Sequence, residues 1–478
     1  MSMHQQILSG LKWTAGARLG GQIITWGITI FVMRLLAPED YGLQAMASVF
    51  LAFLLMLVEM GLGSALIQKQ EVSQTTLRQA FGFVLTVNLV LLLALNLLAP
   101  LIAVFFNDQR LVPILRVLSL QFPIIALGVI PNVLLQRKLG FRSQSLIDLS
   151  AAVSSSVLIL LLAFAHYGVW ALVLGNLFAG LWRTVALNLV EPFACRPIFS
   201  WHGMRALLSF GGNLSLTRLL WFFYTQVDVL IVGKLLGKEM LGLYSVAMHL
   251  ASLPVQRVSG VLNQVAFPVL SRFQNDREQL SGYVLKAARA LSFFAFPVLW
   301  GISSTANEIV LLFLGPGWKG AIVPLQLLAL MMPLRMLANF LPSATDAIGR
   351  PEIGLQNVLL ASLVMPIAFW FASRWGIVGM AVAWVTVYPV LLIINIRRML
   401  GAVRLRLRDL FQAIAPALLS AAGMYATVWL VRWQLGGATM GAGSLLLMMV
   451  LGALAYAGLS LFLNKNGCQE VVRLVRQN

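Results

Sequence analysis

The sequence predicts an all-α, polytopic membrane protein of about fourteen transmembrane helices, arranged as two pseudo-symmetric six-helix lobes plus two appended helices. Composition is the first of three observations behind this. Over 478 residues the chain is 60% hydrophobic and 10% charged, far from the roughly 25% charged share of a soluble domain. The second is length. Apolar stretches of about 20 residues, enough to cross a bilayer as helix, recur throughout with gaps too short for a folded soluble domain. The third is an internal repeat. Shifting residues 18–47 by 200 positions without a gap matches ten of thirty: Arg18, Leu19, Thr25, Val32, Leu35, Leu36, Glu39, Gly42, Leu43 and Ala47.

The spans follow in order. The first, 11–33, carries Thr14, Arg18, Gln22, Thr25 and Thr29 at steps of four, four, three and four, which places them on one helix face. It is read as a retained anchor, because no cleavable leader precedes another apolar run. The second, 41–66, holds Glu59, and the third is 79–103. The fourth, 111–135, contains Arg116, Pro123 and Pro131; the fifth, 146–165, has Asp148 near its start; the sixth, 169–189, holds Arg183. A linker, 190–205, separates the lobes.

The seventh span, 207–233, repeats the polar face of the first with Ser215, Arg218 and Thr225, and adds Asp228 about ten residues, or roughly 15 Å of helix, beyond Arg218. The eighth, 241–262, holds His249, Pro254 and Arg257. The ninth and tenth, 284–313 and 321–342, contain Pro297, and Pro333 with Arg335. The eleventh and twelfth, 354–373 and 377–396, contain Pro366 and Pro389. After a basic linker, 397–409, spans 410–431 and 442–463 have no counterpart in the repeat. The expected division is therefore 1–200, 201–400 and 401–478. Each proline removes a donor and bends its helix, so neighbouring helices must satisfy the freed carbonyls.

Net charge is +18. With the N-terminus in the cytoplasm, most of the 34 Lys and Arg fall on cytoplasmic segments, as orientation by positive charge requires. Arg137-Lys138, Arg397-Arg398 and Arg404, Arg406 and Arg408 are expected to set topology and rest on anionic headgroups. Nucleic acid is excluded as a partner, since no folded domain presents a basic face. Cys195 and Cys468 are too few and too far apart for a disulfide framework or a metal site.

A charge near the bilayer centre costs at least about 2.5–3.5 kcal/mol on insertion scales, so one that is kept faces protein or a wet cavity. Snorkelling or a structural ion pair is the bland reading for Arg116, Arg183 and Arg335, which have no repeat partner. Arg18 and Arg218 do have one, and with Arg257 they are the candidates for a substrate-binding lumen. Gln22, Thr25, Glu59, Thr225 and Asp228 are the candidate lumen or coupling groups. An interior richer in arginine than in carboxylate selects anions, and the guanidinium fork suits phosphate.

The chain resembles the polysaccharide-exporter branch of the multidrug/oligosaccharidyl-lipid/polysaccharide flippase superfamily, particularly Wzx-type flippases near the colanic-acid exporter group. The residues that carry this are Gly10-Leu11-Lys12-Trp13 to Arg18, Arg34-Leu35-Leu36-Ala37-Pro38-Glu39-Asp40-Tyr41-Gly42-Leu43, and the stretch from Glu59 to Gln68. In the second lobe they are Asp228 to Gly237, Gly242-Leu243-Tyr244, and Phe267-Pro268. The resemblance implies two six-helix lobes forming a V that opens alternately inward and outward. It implies an undecaprenyl-diphosphate-linked oligosaccharide as substrate, flipped across a bacterial inner membrane. Both termini are expected in the cytoplasm, because both copies of the repeat begin on that side and the tail follows a fourteenth span. Membrane lipids and the polymerase and chain-length or export machinery of the pathway are the implied partners. It implies no cofactor, and leaves Na+ or H+ coupling open.

A pathway enzyme, such as a membrane glycosyltransferase, would need catalytic groups on a sizeable extramembrane loop, and no loop between the spans exceeds about twenty residues. A multidrug or small-molecule antiporter of the same superfamily is the alternative. It would be expected to carry an excess of intramembrane acids, whereas arginine prevails here.

Overall fold

The computed structural model describes residues 21, 25–58, 66–67, 72–193, 195–199, 215–434, 441–464 and 467, and among these the regular structure is helical throughout. Nine stretches among the described residues are long and apolar enough to cross a membrane, and one of them, Glu352–Ala402, comprises two successive helices. Much of the first predicted span, the end of the second and the start of the seventh lie outside the described residues.

The chain separates into two compact units. Unit 1 takes in Met1–Phe222 with Gly237–Gly242, and unit 2 takes in Phe223–Leu236 and Leu243–Asn478. The division falls inside a helix, Ser215–Leu235, and not in the segment 190–205.

Unit 1 contains α1 (Thr25–Leu35), α2 (Pro38–Val58), α3 (Gln74–Phe106), α4 (Leu111–Ser119), α5 (Gln121–Arg137), α6 (Phe141–Phe164) and α7 (Val169–Val190). Helix α3 begins where the Ser73 hydroxyl accepts from Thr76 N–H, and ends on Asn107 in the left-handed conformation at φ 57°. These are the capping devices of an N- and a C-terminus. Together α4 and α5 make one span with a break at Leu120. Within α5, Pro131 cannot donate to the Leu127 carbonyl one turn earlier. Asn188 of α7 supplies the missing bond, its Nδ2 donating to Leu127 O at 3.1 Å.

The repeat acquires a physical meaning at two glycines. A Cβ on Gly42 would lie 1.8 Å from Lys238 O, and a Cβ on Gly242 would lie 1.7 Å from Pro38 O. The matched Gly-Leu motifs thus cross backbone to backbone, and only glycine permits it. Charges close the same corner: Lys238 Nζ sits 3.3 Å from Glu39 and 3.2 Å from Asp108, and Arg110 Nη2 lies 2.8 Å from Asp108.

Unit 2 contains the rest of α8 (Ser215–Leu235) and α9 (Gly237–Ser271), then α10 (Arg277–Ser304), α11 (Ile322–Phe340), α12 (Glu352–Ala372), α13 (Gly376–Ala402), α14 (Leu407–Gln434) and α15 (Ala442–Leu463). Helices α14 and α15, expected as appendages, are packed into this unit against α10. Tyr456 of α15 donates to Phe293 O at 2.7 Å, the carbonyl that Pro297 leaves free. Arg432 of α14 pairs with Glu308 and donates to Ser304 O at 2.5 Å. Large apolar side chains such as Leu97, at 77% exposure, and Phe462, at 80%, point away from both cores, as they do where the surrounding solvent is lipid.

Some basic residues differ from expectation. Arg137 Nη1 donates to Leu66 O at 2.7 Å, and Lys138 pairs with Glu191 at 2.7 Å. Protein groups beyond the ends of α2 and α7, and not headgroups alone, hold this pair.

Candidate functional site

Unit 1 holds an open-sided cavity of about 880 Å³ lined by α2, α3, α5, α6 and α7. Helix α5 presents Gln121, Ile125, Gly128, Val129, Asn132 and Gln136 to it, a spacing of four, three, one, three and four that keeps them on one face. From Gln121 to Gln136 the helix rises roughly 22 Å, most of the about 30 Å hydrocarbon core. Gln44 and Ser48 of α2 and Asn176 and Thr184 of α7 add further polar groups. The room comes from small residues, among them Ala52, Gly128, Ala151, Ala152, Ala179 and Gly180.

One ion pair belongs to this wall. Arg183 Nε donates to Asp148 Oδ1 at 2.8 Å, and Arg183 Nη2 reaches Asn132 Oδ1 at 3.5 Å. The two charges cancel, so the described lining offers neutral hydrogen-bonding chemistry on an aliphatic wall. Gln44 Oε1 and Gln121 Oε1 are buried without a hydrogen-bond partner among the described residues, a state polar groups in low dielectric keep at a cost.

Unit 2 has a different interior. Asp228, 2% exposed, accepts from Tyr244 Oη at 2.8 Å, from Trp384 Nε1 at 3.3 Å and from Val229 N–H at 2.8 Å. Trp384 Nε1 also donates to Tyr244 Oη at 2.9 Å. The Arg335 guanidinium stacks 4.9 Å from the Trp384 ring centre and interacts electrostatically with the Asp228 carboxylate. Tyr224, Phe369 and Tyr388 pack their rings around Trp384. A buried carboxyl group with three donors and a nearby cation has its hydrogen-bonding capacity met.

The sequence-predicted residues are distributed as follows. Arg18, Gln22 and Glu59 lie outside the described residues, and Arg218 is described in backbone only. Thr25 Oγ1 donates to Gly21 O at 2.9 Å, and Thr29 does the same to Thr25 O at 2.7 Å, so both hydroxyls hydrogen-bond their own helix. Thr225 is half-buried one turn before Asp228, and Arg257 is exposed on α9. The arginine brought to Asp228 is Arg335, which lacks a repeat partner. Sequence reasoning followed charges and so passed over the amides Gln121, Asn132, Gln136 and Asn176. The signal was a polar face on the fourth span with Gln121 and Asn132, running on to Gln136, and a lone amide, Asn176, on the sixth.

Residues 31–323 match the family described as polysaccharide biosynthesis protein. The chain is 26% identical to the teichuronic acid biosynthesis protein TuaB of Bacillus subtilis strain 168, covering 88% of each chain. It is 27% identical to the lipopolysaccharide biosynthesis protein WzxC of Escherichia coli K12, over 81% of this chain and 79% of that one. It is 27% identical to the succinoglycan biosynthesis transport protein ExoT of Rhizobium meliloti 1021, over 68% and 66% respectively. Among solved structures, the lipid II flippase MurJ superposes over 95% of this chain and 99% of its own with a TM-score of 0.76 at 17% identity. A multidrug-resistance transporter of the MATE family and MOP superfamily superposes with a TM-score of 0.58 at 16% identity over 80% of this chain. At these identities the two structures show a shared fold.

Proposed function

Because the chain belongs to the polysaccharide biosynthesis protein family, we propose that it flips undecaprenyl-diphosphate-linked oligosaccharide repeat units from the cytoplasmic to the periplasmic leaflet by alternating access. The product would feed exopolysaccharide, O-antigen or capsule synthesis. The observation that carries this is the meeting of a polysaccharide family with the fold of a lipid II flippase over 95% of the chain. A relative named as a succinoglycan transport protein supports it. In this reading Arg18, Arg218 and Arg257 receive the diphosphate, and a polymerase with chain-length or export machinery takes the product. The location is the bacterial inner membrane, with both termini cytoplasmic.

A multidrug antiporter shares the superfamily fold. Among the described residues the one acid lining the unit 1 cavity is Asp148, already paired with Arg183, so that lining offers no net negative charge to a lipophilic cation. Transport of a lipid-linked oligosaccharide against a cationic dye separates the two readings.

The arginines are tested by substitution. Lys keeps charge but loses the planar fork, and Ala loses both. Arg18→Ala and Arg218→Ala are expected to abolish polymer export at normal membrane level, and Lys at either position to rescue in part. A snorkelling arginine would be rescued fully by Lys. Full export by both Ala variants sinks the diphosphate assignment.

A further inference from the structure

We propose that the cavity inside unit 1 is a binding site for the uncharged sugar portion of the transported glycan. The inference rests on the flippase reading above and adds to it where the sugars go.

Charge selects the ligand class first. Asp148 and Arg183, 2.8 Å apart, neutralise one another, so the described lining carries no net positive charge for a diphosphate and no net negative charge for a cation. Its remaining polar groups are carboxamides and hydroxyls. A carboxamide offers a donor pair and an acceptor side by side, the complement of vicinal sugar hydroxyls or of an acetamido group. Leu51, Leu55, Val129 and Val133 supply aliphatic surface for the C–H faces of a pyranose ring.

Size agrees. About 880 Å³ falls near the top of the roughly 300–1,000 Å³ range of small-molecule sites, room for a short oligosaccharide and far more than an ion needs. On α5 the amides stand at two levels, Gln121 at one and Asn132 with Gln136 roughly 16 Å further along the helix, so they can hold hydroxyls at both ends of the cavity.

The repeat supplies a contrast. Position 44 corresponds to position 244 under the 200-residue offset. In unit 1 it is Gln44, at the cavity wall. In unit 2 it is Tyr244, fully buried and hydrogen-bonded to Asp228 and Trp384. The repeat-related position is open and amide-lined in one unit and filled by aromatic rings in the other, so the hollow is not a by-product of the bundle.

The test uses the full chain in cells. Cys195→Ser and Cys468→Ser give a cysteine-free parent, and Ala152→Cys places one thiol on the cavity wall. Labelling by N-ethylmaleimide is compared between cells that make the lipid-linked glycan and cells deleted for the sugar transferase that starts it. Polymer export is followed in parallel. The expected result is labelling slowed at least threefold when the glycan is present, with the protection lost on adding Asn132→Leu and Asn176→Leu. Chain-dependent export with labelling indifferent to the glycan overturns the cavity assignment and leaves the flippase reading standing. Protection that persists in the Leu variants overturns the role of the amides. No chain-dependent export in the parent overturns the flippase reading itself.

Discussion

Two buried acids in unit 2, Glu308 and Asp228, differ in what holds them. Glu308 and Arg432 form a pair in which the acid side chain is 6% and the base 27% exposed. Removing one partner leaves the other buried without its counter-charge, so Glu308→Ala should destabilise by about 3 kcal/mol. The companion Glu308→Leu with Arg432→Leu removes both charges and should recover most of the loss. Thermal unfolding of the detergent-purified protein reads both, and an unchanged melting temperature in Glu308→Ala would remove the pair from the stability account. Asp228 is satisfied by donors from Tyr244, Trp384 and Val229. Asn at this position substitutes a donor for one accepting oxygen and sets it against them. Asp228→Asn should therefore lower polymer export at least fivefold at normal membrane level, whereas export at the wild-type rate would exclude Asp228 from the transport cycle.

Among the helices, the crossing of Gly42 and Gly242 is the tightest constraint that the repeat imposes. A methyl group at either glycine would fall less than 2 Å from a carbonyl oxygen of the facing motif, so the starts of α2 and α9 must move apart to admit it. Gly42→Ala and Gly242→Ala should each cost about 1–3 kcal/mol, the usual scale of overpacking. Gly282 in α10 faces open space, with nothing within 4 Å of where a methyl group would sit. Gly282→Ala should instead stabilise by about 0.5–1 kcal/mol by restricting the unfolded chain. Opposite shifts in melting temperature are the expected outcome. Equal shifts would mean that the crossing is not close-packed in the membrane.

For the whole molecule, the distribution of basic residues sets which side each loop faces. The turn between α3 and α4 should lie outside and the C-terminal end inside. A reporter active only in the periplasm should work when fused after Asn107 and stay silent when fused after Asn478. Activity at Asn478 would mean that the span count is wrong by one. About fourteen apolar runs are legible in the sequence, with nine membrane-length apolar stretches among the described residues, because an apolar run of sufficient length has few other fates in a chain this poor in charge. Helices α14 and α15 illustrate where this stops. Their lack of a repeat counterpart suggests appendages, yet Tyr456 bonding Phe293 O and Arg432 pairing with Glu308 build them into unit 2.

The sequence by itself determined the helical membrane class, the duplication and the family, because hydropathy and spacing are local and additive along the chain. It also marked Asp228 as a lone acid on the seventh span. Only the tertiary structure decided that Arg335, more than one hundred residues away, stands beside that acid. Only it revealed that the amides of α5 and α7 face a common cavity while Gln44 and Tyr244 meet different surroundings. Neutral amides cost little to insert and so leave a faint mark on hydropathy. Their meaning depends on which faces of which helices meet, and that is fixed by packing.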